Sequence, residues 1–156
     1  MRSDNGLEFD LHQFYASIGI LHQKSCVETP QQNGRVERKH QHILNVGRAL
    51  LFQSKLPKKF WSYALVHATY IINKVSSFIL IDKSPHQLLF QQDPDFESFK
   101  VFGSLCFAST VCSHRTKLAP REKKCIFLGY RTGVKGYILF DLKTRQIFIS
   151  RNVIFF

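Results

Sequence analysis

No apolar run in this chain approaches the ~20 residues that a membrane-spanning helix needs, and the opening MRSDNGLEF has no apolar stretch of the kind a secretory signal carries. The expectation is a soluble, intracellular protein without a membrane partner. The cysteines Cys26, Cys106, Cys112 and Cys125 contain no CxxC pair, which argues against a zinc knuckle or a disulfide framework and for buried or scattered free thiols. The seven histidines show no ligand spacing either; His40 and His42 are two apart, which places them on different faces of a helix. Acidic residues are scarce, 11 against 22 Lys+Arg, giving a net charge of +11. Such a surplus suits a polyanionic partner, although an acidic membrane surface or a ribosomal neighbour would fit the charge as well.

What is present divides into two patterns. With 156 residues and 44% hydrophobic content the chain can hold one ordinary domain or two small ones. In FDLHQFYASIGI, Asp10 and Gln13 have capping-box spacing. Leu11, Phe14, Tyr15 and Ile18 form a helical stripe there, and Gly19 stands where a helix stops. GILHQKSCV predicts a brief strand and PQQNG a loop. RVERKHQHILNVGRALLFQS predicts a long helix with Val36, His40, Ile43, Leu44, Gly47 and Leu50 or Leu51 on one side and Glu37 in its first turn. After Pro57, residues Trp61, Leu65, Ala68 and Ile72 predict a further helix with an apolar core face. Ser84, Pro85 and Gln87 make a capping box for another, and QQDPDFES reads as a linker.

From about Lys100 the period shortens to β runs, VFGSLCFA, KKCIFLGY, GYILFD and RQIFISRNVIFF, separated by Gly and basic turns, which predicts a small barrel. Residues 1–95 carry 11 Lys+Arg against 8 Asp+Glu, whereas residues 96–156 carry 11 against 3, so most of the positive surplus lies on the β part. Within it, HRTKLAPREKK concentrates Arg115, Lys117, Arg121, Lys123 and Lys124 on one loop and the strand that follows. Such a cluster either solubilises the surface or contacts phosphates, where each neutralised phosphate releases counterions. A barrel displaying it is similar in plan to nucleic-acid-binding barrels.

Taken together and in this order, SDNGLEF, GILHQKSCVETPQQNGRVERKH and VFGSLCFA resemble the integrase of copia-type LTR retrotransposons, in particular the Pol polyprotein of plant elements. The likeness spans essentially the whole chain. It implies an α+β protein: a truncated, mostly helical remnant of a ribonuclease H-like DDE integrase core over residues 1–95, then an SH3-like β-barrel over residues 96–156. The resemblance assigns the second catalytic aspartate to Asp4 and the catalytic glutamate to Glu37, both as ligands of Mg²⁺ or Mn²⁺. Two such ions activate the attacking oxygen and stabilise the leaving oxygen of a phosphodiester, and hard cations of this kind take carboxylate oxygen. It further implies a mobile PQQNG loop near a DNA end, with Gln31, Gln32 and Asn33 offering amide contacts and Gly34 a hinge. Arg35, Arg38 and Lys39 would face phosphates at a helix N-terminus. For Glu37 the plain alternative is pairing with Arg38, Lys39 or Gln41; spacing weakens it for Arg38 and Lys39, since neighbours one or two apart do not face each other on a helix.

The chain also departs from that pattern. The family's first catalytic aspartate lies on an earlier strand, and the upstream His/Cys zinc module is likewise not among these residues. The expectation is that the chain alone neither processes DNA ends nor transfers strands, and works with DNA together with an upstream integrase segment or other integrase copies, in the nucleus if functional. The 32 residues between Asp4 and Glu37 are fewer than the family usually has, the deficit falling between Phe9 and Leu11, which reads as a helix shortened at its start. With most of the core sheet missing, the face of Trp61, Leu65, Ala68 and Ile72 is expected to lack its usual cover, leaving the β part as the better independent folder. A non-enzymatic nucleic-acid-binding module, or a relic of a transposon, are the alternative readings.

Overall fold

The computed structural model describes residues 1–3, 6–26, 29–110, 120–131 and 133–155. Asp4, Arg115, Lys117 and Cys112 lie outside the described residues. Backbone contacts divide the chain into Met1–His42 and Ile43–Phe156; the pattern change expected near residue 95 falls inside the second of these.

In the first unit, strand β1 (Arg2–Ser3) pairs in parallel with β2 (Gln23–Lys24), Arg2 opposite Gln23 and Ser3 opposite Lys24. Between them lie a 3₁₀ turn (Leu7–Phe9) and the short helix α1 (His12–Ser17), which ends, as its sequence predicts, before Gly19 at φ 70°. The expected capping box does not form. The N-cap is Leu11, without a side-chain bond, because the Asp10 carboxylate is drawn instead to Lys24 Nζ at 2.9 Å and His12 Nε2 at 2.8 Å. Those contacts, Lys24 first, hold the Asp10 carboxyl below its ordinary range. Of the predicted apolar stripe only Tyr15 is buried, against the His22 ring at 4.8 Å, while Leu11, Phe14 and Ile18 remain exposed. A six-residue helix beside a two-stranded ribbon has too little partner surface to cover four apolar side chains.

Helix α2 (Gly34–Ser54) is the long helix foreseen, but its apolar side is buried only toward the C-terminal end, where Gly47 is buried and Leu50 and Leu51 are half-buried; Val36 and His40 are exposed. Gly47 has a specific reason to be glycine: a Cβ there would stand 2.5 Å from Leu65 Cδ2. The second unit continues with α3 (Trp61–Lys74) and α4 (Pro85–Phe90). Helix α4 has the predicted capping box: Gln87 N–H donates to Ser84 Oγ at 3.1 Å and Ser84 N–H to Gln87 Oε1 at 2.7 Å.

Five antiparallel strands follow, β3 (Leu105–Ser109), β4 (Glu122–Tyr130), β5 (Tyr137–Asp141), β6 (Ile147–Ser150) and β7 (Val153–Phe155). Their order in the sheet is β6-β5-β4-β3-β7, so the last strand crosses over to pair with the first. The four predicted β runs all become strands, the last of them splitting into β6 and β7. The register shifts between Phe127 and Gly129 of β4, and Gly129 at φ 145° takes a conformation that side chains disfavour.

Leu128 and Phe127, adjacent on β4, point to opposite faces of the strand and so join different cores. Leu128 joins Phe60, Ala64, Phe102 and Phe140, and Phe127 joins Cys106, Ala108, Cys125 and Leu139. Of the face expected to lack cover only Ala68 is fully covered: α3 packs on β4 through another side, with Ala64 and Ala68 fully buried and His67 nearly so. The buried stripe is turned from the one predicted, since Trp61 is 58% exposed and Leu65 and Ile72 are only half-buried. Two alanines let the helix approach the sheet, which the bulk of Trp61 would prevent. The linker is tied down as well: Tyr130 Oη donates to Ser98 O and accepts from Lys100 N–H, each at 2.8 Å. Among the described cysteines all three are free thiols, with Cys106 and Cys125 opposite each other across β3 and β4.

Candidate nucleic-acid interface

Two groups of residues were singled out for nucleic acid, one in each unit. In the first unit, PQQN is a 3₁₀ turn (Pro30–Asn33) that runs directly into α2 rather than a loop. Its amides are partly spent on holding that turn: Gln32 Oε1 accepts from Cys26 N–H at 3.1 Å, and Asn33 Nδ2 donates to Ser25 Oγ at 3.4 Å. Gln31 is exposed. Gly34 does not act as a hinge in this conformation; it is right-handed helical at φ −56° and ψ −22°. A Cβ at Gly34 would meet nothing within 4 Å. Gly34→Ala is therefore expected to be accommodated and to stabilise the chain by about 0.5–1 kcal/mol, by lowering the entropy of the unfolded chain. A lowered midpoint in thermal unfolding would contradict this.

Past Gly34, Arg35, Glu37, Arg38, Lys39 and His40 are all exposed along the first turns of α2. Glu37 forms no ion pair among the described residues. Nor do the described residues contain any group of three or more His, Cys, Asp or Glu side chains able to hold a metal ion. A lone exposed carboxylate does not make a Mg²⁺ centre, and its expected companion Asp4 lies outside the described residues.

In the second unit the described cations of the basic segment converge with residues that the sequence reading missed. Arg121, Lys123 and Lys124 are exposed at the start of β4. Lys123 and Lys124, with Lys143, line a groove of about 860 Å³ together with Thr144 and Phe148. Its floor holds the buried Asp141, whose carboxylate accepts from the backbone N–H of Lys143 at 2.8 Å and of Thr144 at 3.2 Å. Burial pushes the Asp141 carboxyl up, but the two amides, the Thr144 hydroxyl and the Lys123 ammonium outweigh it and leave it below its ordinary range. Lys123 Nζ lies 3.7 Å from Asp141 Oδ2 and 5.5 Å from the Phe148 ring centroid. Its charge is thus partly spent within the fold, while Arg121, Lys124 and Lys143 form no ion pair among the described residues. The signal for Lys143 was present in the sequence: an Asp ending a strand two residues before Lys143, in DLKT, is the pattern of an Asx turn that presents the next side chains.

The described strands form a five-stranded antiparallel sheet whose last strand returns to the first, with a basic groove against it. Residues 104–156 match the family described as the retroviral polymerase SH3-like domain. Over nearly its whole length the chain is homologous to retrotransposon Pol polyproteins. It is 38% identical over 154 residues to the retrovirus-related Pol polyprotein from transposon RE1 of Arabidopsis thaliana. It is 40% identical over 154 residues to that from transposon RE2 of the same plant, and 37% identical over 158 residues to that from transposon TNT 1-94 of Nicotiana tabacum. These alignments cover 98%, 98% and 99% of the chain but only 10%, 11% and 12% of the respective relatives.

Proposed function

We propose that the chain is a segment of a retrotransposon integrase that binds DNA through the basic groove of its SH3-like part. The observation that carries this is the convergence of Lys123, Lys124 and Lys143 on one groove of the barrel. Cations so placed meet phosphates without reading bases and set register on the duplex. In this reading residues 1–95 descend from a ribonuclease H-like core. Asp4 and Glu37 are two of the carboxylates that would hold Mg²⁺ or Mn²⁺ in the longer polyprotein. The exposed position of Glu37 at the head of α2, among Arg35, Arg38 and Lys39, is in keeping with a side chain held out toward a phosphate-bound cation. The partners are DNA and an upstream integrase segment or other integrase copies, in the nucleus. Phe78, Ile79 and Ile81, at 86–89% exposed, offer apolar surface for such a protein partner.

The test is fluorescence anisotropy of a labelled duplex at several salt concentrations. Joint replacement of Lys123, Lys124 and Lys143 by Ala is expected to weaken binding and to flatten the dependence of log K on log salt by roughly 2 to 3 units. An unchanged slope would remove the groove from the interface. The same lysine groove equally serves a non-enzymatic nucleic-acid-binding module, for which the lone carboxylate Glu37 speaks. Metal-dependent strand transfer on mixing with an N-terminal integrase fragment, abolished by Glu37→Gln, is expected only for the integrase segment.

A further inference from the structure

The sheet ends on one side at β6, and among the described residues no strand pairs with its outer edge. The phase of the ladder decides which backbone groups that edge presents. Asp141 N–H donates to Gln146 O at 2.9 Å, and these two residues continue the β5–β6 register beyond Phe140 and Ile147. Directly opposed pairs in an antiparallel ladder alternate between hydrogen-bonded and non-hydrogen-bonded. Gln146, Phe148 and Ser150 therefore turn their N–H and C=O groups to β5, while Ile147 and Ile149 turn theirs outward. No backbone bond from another element reaches Ile147 or Ile149 among the described residues. Their side chains share the face of the sheet on which Phe140, opposite Ile147, is buried; yet the two are 44% and 45% exposed. Arg145 and Arg151 bracket the strand, both exposed and without an ion pair among the described residues.

An open edge of this kind is a template for another strand, and a second copy of the chain is the first candidate. Laid antiparallel with Ile147 against Ile149 of the other copy, two β6 strands would set Arg145 against Arg151 at both ends. Like charges directly opposite are destabilising. The same bracket of cations favours a strand with acidic ends. We propose that the outer edge of β6 receives an extended peptide of another protein, with alternate apolar residues over Ile147 and Ile149 and a carboxylate at each end for Arg151 and Arg145. Main-chain bonds to the outward groups of Ile147 and Ile149 supply affinity, and the alternate side chains supply selection. This surface is separate in its chemistry from the phosphate contacts proposed for the lysine groove, and either can fail alone.

The experiment uses the full chain and a dye-labelled peptide, Glu-Thr-Val-Thr-Val-Thr-Glu, followed by fluorescence anisotropy, with a peptide carrying Lys at both ends as its counterpart. The acidic peptide is expected to bind and the lysine peptide to bind more weakly. Ile149→Pro removes one outward N–H without taking a bond from β5, and should weaken the acidic peptide roughly threefold to tenfold. Joint Arg145→Glu and Arg151→Glu should reverse the preference between the two peptides, a readout that stands even if the proline variant does not fold. Equal binding of the acidic peptide by a folded Ile149→Pro chain, or an unreversed preference in the charge variant, would overturn the proposal. Self-association in sedimentation equilibrium that Ile149→Pro abolishes would make a second copy the occupant and the proposal wrong. So would a charge variant that loses a DNA duplex while neither peptide binds the wild type, since the two arginines would then serve phosphates.

Discussion

The chain is expected to lose about 3 kcal/mol of stability between pH 7 and pH 4 on account of one side chain, His67. In the folded state burial against Phe102, Phe127 and Tyr130 lowers the imidazole pKa from 6.5 to about 4. In the unfolded chain the same group protonates at its ordinary value. Above pH 6.5 neither state binds the proton, and the stability is fully present. As pH falls below that value the unfolded chain takes up a proton that the folded one refuses, so stability declines until the folded imidazole itself protonates near pH 4. A difference of 2.5 pKa units corresponds to about 3 kcal/mol. The Asp141 carboxyl, held below its ordinary range, adds loss in the same direction at lower pH. Urea unfolding at pH 7, 5.5 and 4.5 measures the slope, and His67→Leu should flatten it. A slope equally steep in that variant would assign the pH dependence elsewhere.

Phe127→Ala is expected to cost about 3–5 kcal/mol, a large share of the 5–15 kcal/mol by which domains are stable. The ring is fully buried and stands edge-on to Tyr130, Tyr137 and Phe155 at 5.2, 5.8 and 5.5 Å. Those neighbours belong to three different strands, β4, β5 and β7, so no single element can move to fill the hole. Phe127→Leu keeps most of the volume and should cost about 1.5 kcal/mol or less. Denaturant unfolding of both variants distinguishes a packing role from mere hydrophobicity; near-equal losses would show that the site collapses freely.

How far the sequence could be read depended on whether an element meets one environment or two. The capping box at Ser84 and Gln87 and the β runs are local signals, satisfied by their own neighbours, and they appear as read. Asp10 had the same local pattern, yet Lys24 and His12 draw its carboxylate away from the helix end, a competition that only the folded chain reveals. The stripe of α3 was misplaced because periodicity gives spacing but not which side faces the sheet. The small Ala64 and Ala68, next to the polar His67, rank below Trp61 in apolarity and yet form the buried side. At the basic groove, Lys123 and Lys124 were legible as a run of charge, whereas Lys143 and Phe148 arrive from the next hairpin through strand pairing.

The packing of both faces of β4 bears on what counts as a separable piece of this protein. The family match begins at residue 104, so heredity draws its line just before β3. The packing draws no line there. Leu128 and Phe140 are on the matched side, while Phe60, Ala64 and Phe102, which share their core, are on the other. A barrel cut out at residue 104 would carry an oily back with nothing to lie against. The packed body is therefore longer than the matched stretch, and α3 belongs to it.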